Sequence, residues 1–171
     1  MNKKITILIL LVSIIVGVLT SCTLGGDTLM GNEDKAADAR FEQVVEGLKN
    51  KDKDVLKAMF SKQALTEAID FESRIDNLFE SIQGSIESWE RTGLSGSDST
   101  RDGKTSTMVR SHYKLVTDKE EYYFFIVEYT KDASNPDNIG VYMLQVAKYA
   151  DMPNLPSWQD SLCAGIWEPK E

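Results

Sequence analysis

The sequence predicts an α+β domain in which N-terminal helices pack on a curved antiparallel sheet of about four strands. Three observations predict it. Apolar residues recur at helical spacing from residue 34 to about residue 84. The period then changes to two between residues 89 and 149. The gaps between the period-two runs are too short to hold crossover helices. Helices followed by a strand meander is the order of a layered α+β fold, in which the helices cover one face of the sheet.

The first element in chain order precedes this domain. Asn2-Lys3-Lys4 leads into an aliphatic run from Ile5 to Leu19, interrupted only by Thr6, Ser13 and Gly17, so a positive segment precedes an apolar one as in an export signal. As a helix the run would span roughly 22 Å, short of the ~30 Å hydrocarbon core, and no basic stop-transfer cluster follows it. A permanent spanning helix is therefore disfavoured.

Leu19-Thr20-Ser21-Cys22 closes this leader and resembles the bacterial lipobox. The resemblance implies that the Cys22 sulfur carries a diacylglycerol thioether and that cleavage falls just before it. Residues 1–21 would then be a lipoprotein signal peptide. The mature chain would be held at the cell membrane, on its extracellular face, by acyl chains such as palmitate, and two chains make such anchoring stable. The alternative is an ordinary secretory leader with a chance cysteine. Residues 23–33, rich in Gly and small polar residues, read as a flexible tether, which makes 22–33 the lipidated cysteine and its linker and 34–171 the domain. Thr23 follows the cysteine where an inner-membrane retention signal of double-membraned bacteria would place Asp.

Removing the leader takes Lys3 and Lys4 from the 19 basic residues, which stand against 27 acidic ones, and moves the net charge from −8 to about −10. Such a surface repels nucleic acid and anionic headgroups; it suits solubility or a basic partner. With Cys22 lipidated, Cys163 is left without an intramolecular disulfide partner, and its apolar neighbours Leu162, Ala164 and Ile166 suggest a buried, inert thiol.

Within the domain, Phe41, Val44, Val45 and Leu48 lie at i, i+3, i+4 and i+7 and form one face of a helix from Asp34 to Asn50. Asp52 is placed to cap a second short helix that buries Val55, Leu56, Met59 and Phe60. A helical stretch from Ser61 to Gly84 follows, with Ile75, Leu78, Phe79, Ile82 and Ile86 as its apolar stripe. Strands are expected over Trp89–Leu94, Lys104–Val116, Glu121–Thr130 and Gly140–Tyr149. A loop is expected over Ser95–Gly103, with turns at Thr117–Lys119 and Asn135–Asn138.

The phrase "KNKDKDVLKAMFS" after a helix, a longer helix and then a meander resemble the NTF2-like (cystatin-like cone) superfamily. "IDNLFESIQGSIESWE", "TDKEEYYFFIVEYTKD" and "PDNIGVYMLQVAKY" are similar to an uncharacterised domain-of-unknown-function family of Gram-positive lipoproteins. The resemblance implies a cone with a pocket between helices and sheet, and dimerisation through the outer face of the sheet. It implies no activity, because the superfamily holds enzymes, binders and scaffolds.

Tests for site chemistry are mostly negative. One histidine, His112, and one remaining thiol cannot build a zinc site. Asp98, Thr100, Asp102 and Gly103 imitate the start of a calcium loop, but its twelfth position is Val109 where a bidentate Glu is required. Gly93-Leu94-Ser95-Gly96-Ser97 lacks the final glycine of a nucleophile elbow, and six residues rather than four separate Gly96 from Gly103-Lys104, which excludes a P-loop. No cofactor or metal is expected.

Strand alternation places Met108, Arg110, His112 and Lys114 on one face, and Tyr123, Phe125, Val127 and Tyr129 on one face of the next strand. Both faces of that second strand are apolar, so it is central or meets another chain. Arg110, His112, Tyr123 and Tyr129, with Asp70 and Asp76 from the helices, are the candidate ligand-binding residues. An isomerase of the ketosteroid type, which the superfamily includes, would need a carboxylate such as Asp70 or Asp76 near Tyr123, Tyr129 or His112. The spacing of Asp70 with Arg74 and of Asp76 with Glu80 also fits a solvated helix surface, and the tyrosines and Trp89, Trp158 and Trp167 also fit packing.

The preferred expectation is a non-enzymatic, membrane-anchored lipoprotein that binds a small apolar ligand or a protein. Two alternatives stay open: a surface immunity protein that neutralises a basic partner, and an isomerase- or dehydratase-type enzyme.

Overall fold

The computed structural model describes the backbone of residues 27–154 and 162–165 and the side chains of residues 32–152. The leader, the Cys22 site, Trp158, Trp167 and the Cys163 side chain lie outside what is described. The chain divides into two compact units, residues 1–37 and 38–171. The described part of the first is the opening of helix α1, and the packing below belongs to the second.

Four helices lead: α1 (Asp27–Asn50), α2 (Lys53–Met59), α3 (Lys62–Glu67) and α4 (Phe71–Ser81). Helix α1 starts at Asp27 and not at Asp34, so residues 27–33 extend the helix instead of forming part of a loop. Once a helix is nucleated, each added residue gains a hydrogen bond, and the ~1 kcal/mol cost of the single Gly31 does not stop propagation. Phe41, Val44, Val45 and Leu48 are all buried, as their spacing requires. Asp52 caps α2 by accepting hydrogen bonds from Asp54 N at 3.0 Å and Val55 N at 3.1 Å. Leu56, Met59 and Phe60 are buried there and Val55 is half-buried.

The expected helix over Ser61–Gly84 is two helices. Ser61 caps the first through Ala64 N, at 3.0 Å, and the chain breaks at Ala68–Asp70, where Asp70 takes a left-handed conformation with φ 54°. The break re-aims the stripe: Ile75 and Leu78 are buried on α4, Ile82 is already extended, and Ile86 opens the first strand.

Strands β1 (Ile86–Arg101), β2 (Lys104–Thr117), β3 (Glu121–Asp132) and β4 (Gly140–Lys148) form an antiparallel meander, and the short β5 (Leu162–Gly165) pairs with β4. β3 is the middle strand, with β2 and β4 on its two edges, and the helices cover one of its two apolar faces. The loop expected at Ser95–Gly103 is the outer half of β1, paired residue for residue with β2 up to Arg101 and Lys104. Its residues are exposed, so no apolar period marks them, and the ladder is closed by Asp102 (φ 52°) and Gly103 (φ 75°), the two positive-φ positions that a tight hairpin turn demands.

The core lies between the helices and one face of the sheet. Phe41, Val44, Leu56, Ile75 and Leu78 meet Tyr113, Leu115, Tyr122, Phe124, Ile126 and Leu144. Burying each such side chain contributes roughly 1.5–3 kcal/mol before entropy is subtracted, which is the main force holding helices to sheet. The link from α4 to β1 is strapped down by polar contacts. Tyr122 Oη accepts from Gln83 N at 2.8 Å and donates to Ser81 O at 3.1 Å, and Thr117 Oγ1 donates to Gln83 O at 2.8 Å.

Candidate functional site

The sequence-derived candidates fall on two sides of the sheet. Val109, Ser111, Tyr113 and Leu115 of β2 face the helices and are buried, so the alternate residues Arg110, His112 and Lys114 face away from them. The same parity puts Tyr122, Phe124 and Ile126 of β3 inside, and Tyr123, Phe125 and Tyr129 on the outer face. Asp70 and Asp76 belong to the helix layer. Asp76 is paired with Lys53 at 2.5 Å, and Asp70 is an exposed helix-entry residue whose backbone carbonyl accepts from Arg74 N. Arg74 Nε donates to Ile69 O at 2.9 Å. The sheet therefore separates both acids from the histidine and the tyrosines.

On the outer face the structure does assemble one cluster. Tyr123 Oη lies 2.6 Å from His112 Nδ1, the His112 ring stacks on Phe125 with centroids 4.7 Å apart, and Gly93 opposite leaves room for it, since a Cβ there would sit 3.1 Å from His112 Cδ2. Burial lowers the His112 pKa below its ordinary value and raises that of Tyr123. Both therefore favour their neutral forms, and the Tyr123 hydroxyl is placed to donate to an unprotonated Nδ1. Lys114 pairs with Glu121 at 2.9 Å and sits 4.9 Å from the centre of the Tyr149 ring. Arg110 Nη1 reaches Ser97 Oγ at 3.4 Å, and Tyr129 packs edge-on against Tyr142.

A second constellation, on the inner face, is absent from the sequence reading. Asp38 of α1 accepts from Arg91 Nη1 at 2.9 Å and from Tyr113 Oη at 3.3 Å, and Arg40 pairs with Glu128 of β3 at 2.7 Å. Burial pushes the Tyr113 phenol well above its usual range, which keeps it a neutral donor. Tyr113 is fully buried against Phe41, so this group docks a helix and has no access to substrate. Only the cross-strand register, which sets Arg91 opposite Tyr113, brings these residues together.

A groove is the third feature. Its floor is Leu48 near the end of α1, Phe79 in the last turn of α4, Ile82 just beyond that helix and Ile86 at the start of β1; Lys49, Lys51, Gly84 and Ser85 complete a cavity of about 380 Å³. That volume falls in the range of small-molecule sites, about 300–1,000 Å³. Lys49 and Lys51 have no ion-pair partner among the described residues. Ser85 N–H is held by Asp118 Oδ1 at 2.6 Å, which fixes the groove's wall at the α4–β1 link. No cluster of three His, Cys, Asp or Glu side chains able to hold a metal occurs among the described residues.

Helices leading into an antiparallel meander, with a groove of mixed apolar and polar lining at the helix–sheet margin, define an α+β domain in which neither candidate carboxylate, Asp70 or Asp76, joins the His112–Tyr123 pair. The chain belongs to the DUF5104 family, a domain of unknown function whose model matches residues 43–149, from within α1 to the residue after β4. No curated protein matches the sequence.

Proposed function

We propose that this protein is a membrane-anchored extracytoplasmic lipoprotein whose NTF2-like domain binds a ligand and performs no reaction on it. The anchor reading is carried by the leader, an apolar run that ends in Leu19-Thr20-Ser21-Cys22. Among the described residues no helix is long and apolar enough to cross a membrane. The cone reading draws support from the order of elements, helices first and then a meander whose one face they cover.

The observation that carries the binding role is the groove, where four apolar side chains lie beside two lysines that have no ion-pair partner among the described residues. Acid–base catalysis requires the base and its partner to reach the same reacting atoms, within about 3 Å. Asp70 and Asp76 lie on the opposite side of the sheet from His112, Tyr123 and Tyr129, which favours binding over an isomerase-type reaction. The aromatic outer face around Tyr123 and Phe125 suits a second copy of the chain. A basic protein partner is the second reading, favoured by the net charge of −8.

The anchor is tested by Cys22→Ala in the native host. The domain should be released to the medium or remain as uncleaved precursor; a variant still cleaved at the same bond and still membrane-bound removes the lipoprotein reading. Binding that weakens steeply as salt rises would favour the basic protein partner.

A further inference from the structure

We propose that the groove between the ends of α1 and α4 and the start of β1 binds a single-chain amphiphile with an anionic head, a long-chain carboxylate in the simplest case. This rests on the binding role proposed above and adds the chemistry of the ligand. The tail would lie over Leu48, Phe79, Ile82 and Ile86, four apolar side chains contributed by α1, α4, the link after α4 and β1. Phe79, Ile82 and Ile86 are only half-buried, so a tail covering them would remove further apolar surface from water.

The head-group assignment comes from charge. In a chain with 27 acidic and 19 basic residues, the two charged side chains that line this groove are both lysines, and neither has an ion-pair partner among the described residues. Asp118 and Lys119 are both adjacent: a Cβ on Gly84 would collide with Asp118 Oδ1 and lie 3.2 Å from Lys119 Cγ. Asp118, which accepts from Ser85 N–H, keeps its negative charge and offsets one of the three lysines, so the described side chains at this end of the groove carry a net positive charge. A cationic head would face this cluster unfavourably, and a neutral head would gain hydrogen bonds from the ammonium groups but not the charge–charge attraction that a carboxylate gains. The groove's wall is also preformed, because Tyr122, Thr117 and Asp118 fix residues 81–85 through side-chain hydrogen bonds, so little ordering opposes binding.

The test is photolabelling of the full-length protein in phosphatidylcholine nanodiscs with a diazirine-bearing decanoate, followed by mass-spectrometric mapping of the adducts. Label should concentrate on Phe79–Ile86 and around Leu48. It should fall in the presence of unlabelled decanoate and persist in decyltrimethylammonium. Lys49→Glu combined with Lys51→Glu should lower it about tenfold, whereas the corresponding double arginine variant should retain it. Both lysines are exposed, so these changes leave the core intact. Groove labelling that both competitors suppress equally, and that the glutamate variant retains, would overturn the anionic head while sparing the binding role. Labelling spread over the chain with no enrichment in the groove would overturn both. Saturable labelling confined to the outer face of the sheet would transfer the binding role there and likewise overturn the inference.

Discussion

Phe41 and Tyr113 stack face to face, with ring centroids 4.0 Å apart and planes within 1° of parallel, and neither ring is accessible to solvent. Trp89 meets both rings edge-on, at 5.3 and 5.7 Å, and the Tyr113 hydroxyl reaches Asp38, less than one helical turn before Phe41. Ring stacking and hydrogen bond together fasten α1 to β2.

Phe41→Ala should therefore destabilise the domain by about 3–5 kcal/mol, since the cavity is enclosed by other rings and cannot collapse fully. Tyr113→Phe keeps the ring and loses one donor, at a cost of about 0.5–1.5 kcal/mol. Urea unfolding of the two variants checks the contrast; equal losses would mean that the hydroxyl, and not the stack, dominates the joint.

His112 is the only histidine in the chain, so its titration can be followed as a single imidazole resonance. Burial favours its neutral form and sets its folded pKa below the ordinary value of 6.5. The sign of the linkage follows. Between the folded and unfolded pKa values the unfolded state binds more protons, so stability contributed here is complete above pH 6.5 and declines as pH falls towards the folded pKa. His112→Gln should flatten that part of the stability profile. Tyr123→Phe, which removes the donor to Nδ1, should move the titration midpoint up, and a midpoint above 6.5 in the unaltered protein would contradict the account.

Arg40 and Glu128 connect α1 to the central strand while both are largely shielded from water, at 27% and 15% side-chain exposure. Removing one partner leaves the other partly desolvated, and Glu128→Gln should cost about 1.5–3 kcal/mol. A double-mutant cycle with Arg40→Met separates the pair from its surroundings. No measurable coupling would place this pair with ordinary surface ion pairs.

Gly140 opens β4 at φ 125°, and a Cβ there would come within 3.0 Å of Ser61 N and 3.1 Å of Met59 O. The backbone approach is the one that lets Phe60 bridge to Val141 and Ser61 N donate to Val141 O at 2.9 Å. Gly140→Ala combines backbone strain of about 1–3 kcal/mol with this steric conflict. Gly103→Ala is the control: φ is also positive, at 75°, but a Cβ would meet nothing within 4 Å. Comparable thermal shifts for the two variants would argue against the close approach as the cause.

Periodicity made the helix face Phe41, Val44, Val45 and Leu48 legible, together with the Asp52 cap and the central position of β3, because burial on one side writes a repeat into the chain. The outer half of β1 carried no such repeat. Ser95 to Arg101 are exposed and polar, and their strand conformation comes from pairing with β2; the Asp102-Gly103 dipeptide was the one local sign of a hairpin. The split at Asp70 was hidden for a related reason: a left-handed aspartate between two helical stretches leaves composition and apolar spacing almost unchanged.

The sequence by itself determined the α+β class, the order of its elements, the two faces of β2 and β3, and the family, since these depend on local periodicity and on residue identity along the chain. Tertiary structure alone decided which candidates meet. It put His112 against Tyr123, set Asp70 and Asp76 across the sheet from both, drew Asp38, Arg91 and Tyr113 together, and shaped the groove from residues between 48 and 86. The reason is physical: parity fixes the face of a strand residue, but only register and the crossing of helix on sheet fix its neighbour, and those are set by long-range packing that no stretch of sequence contains.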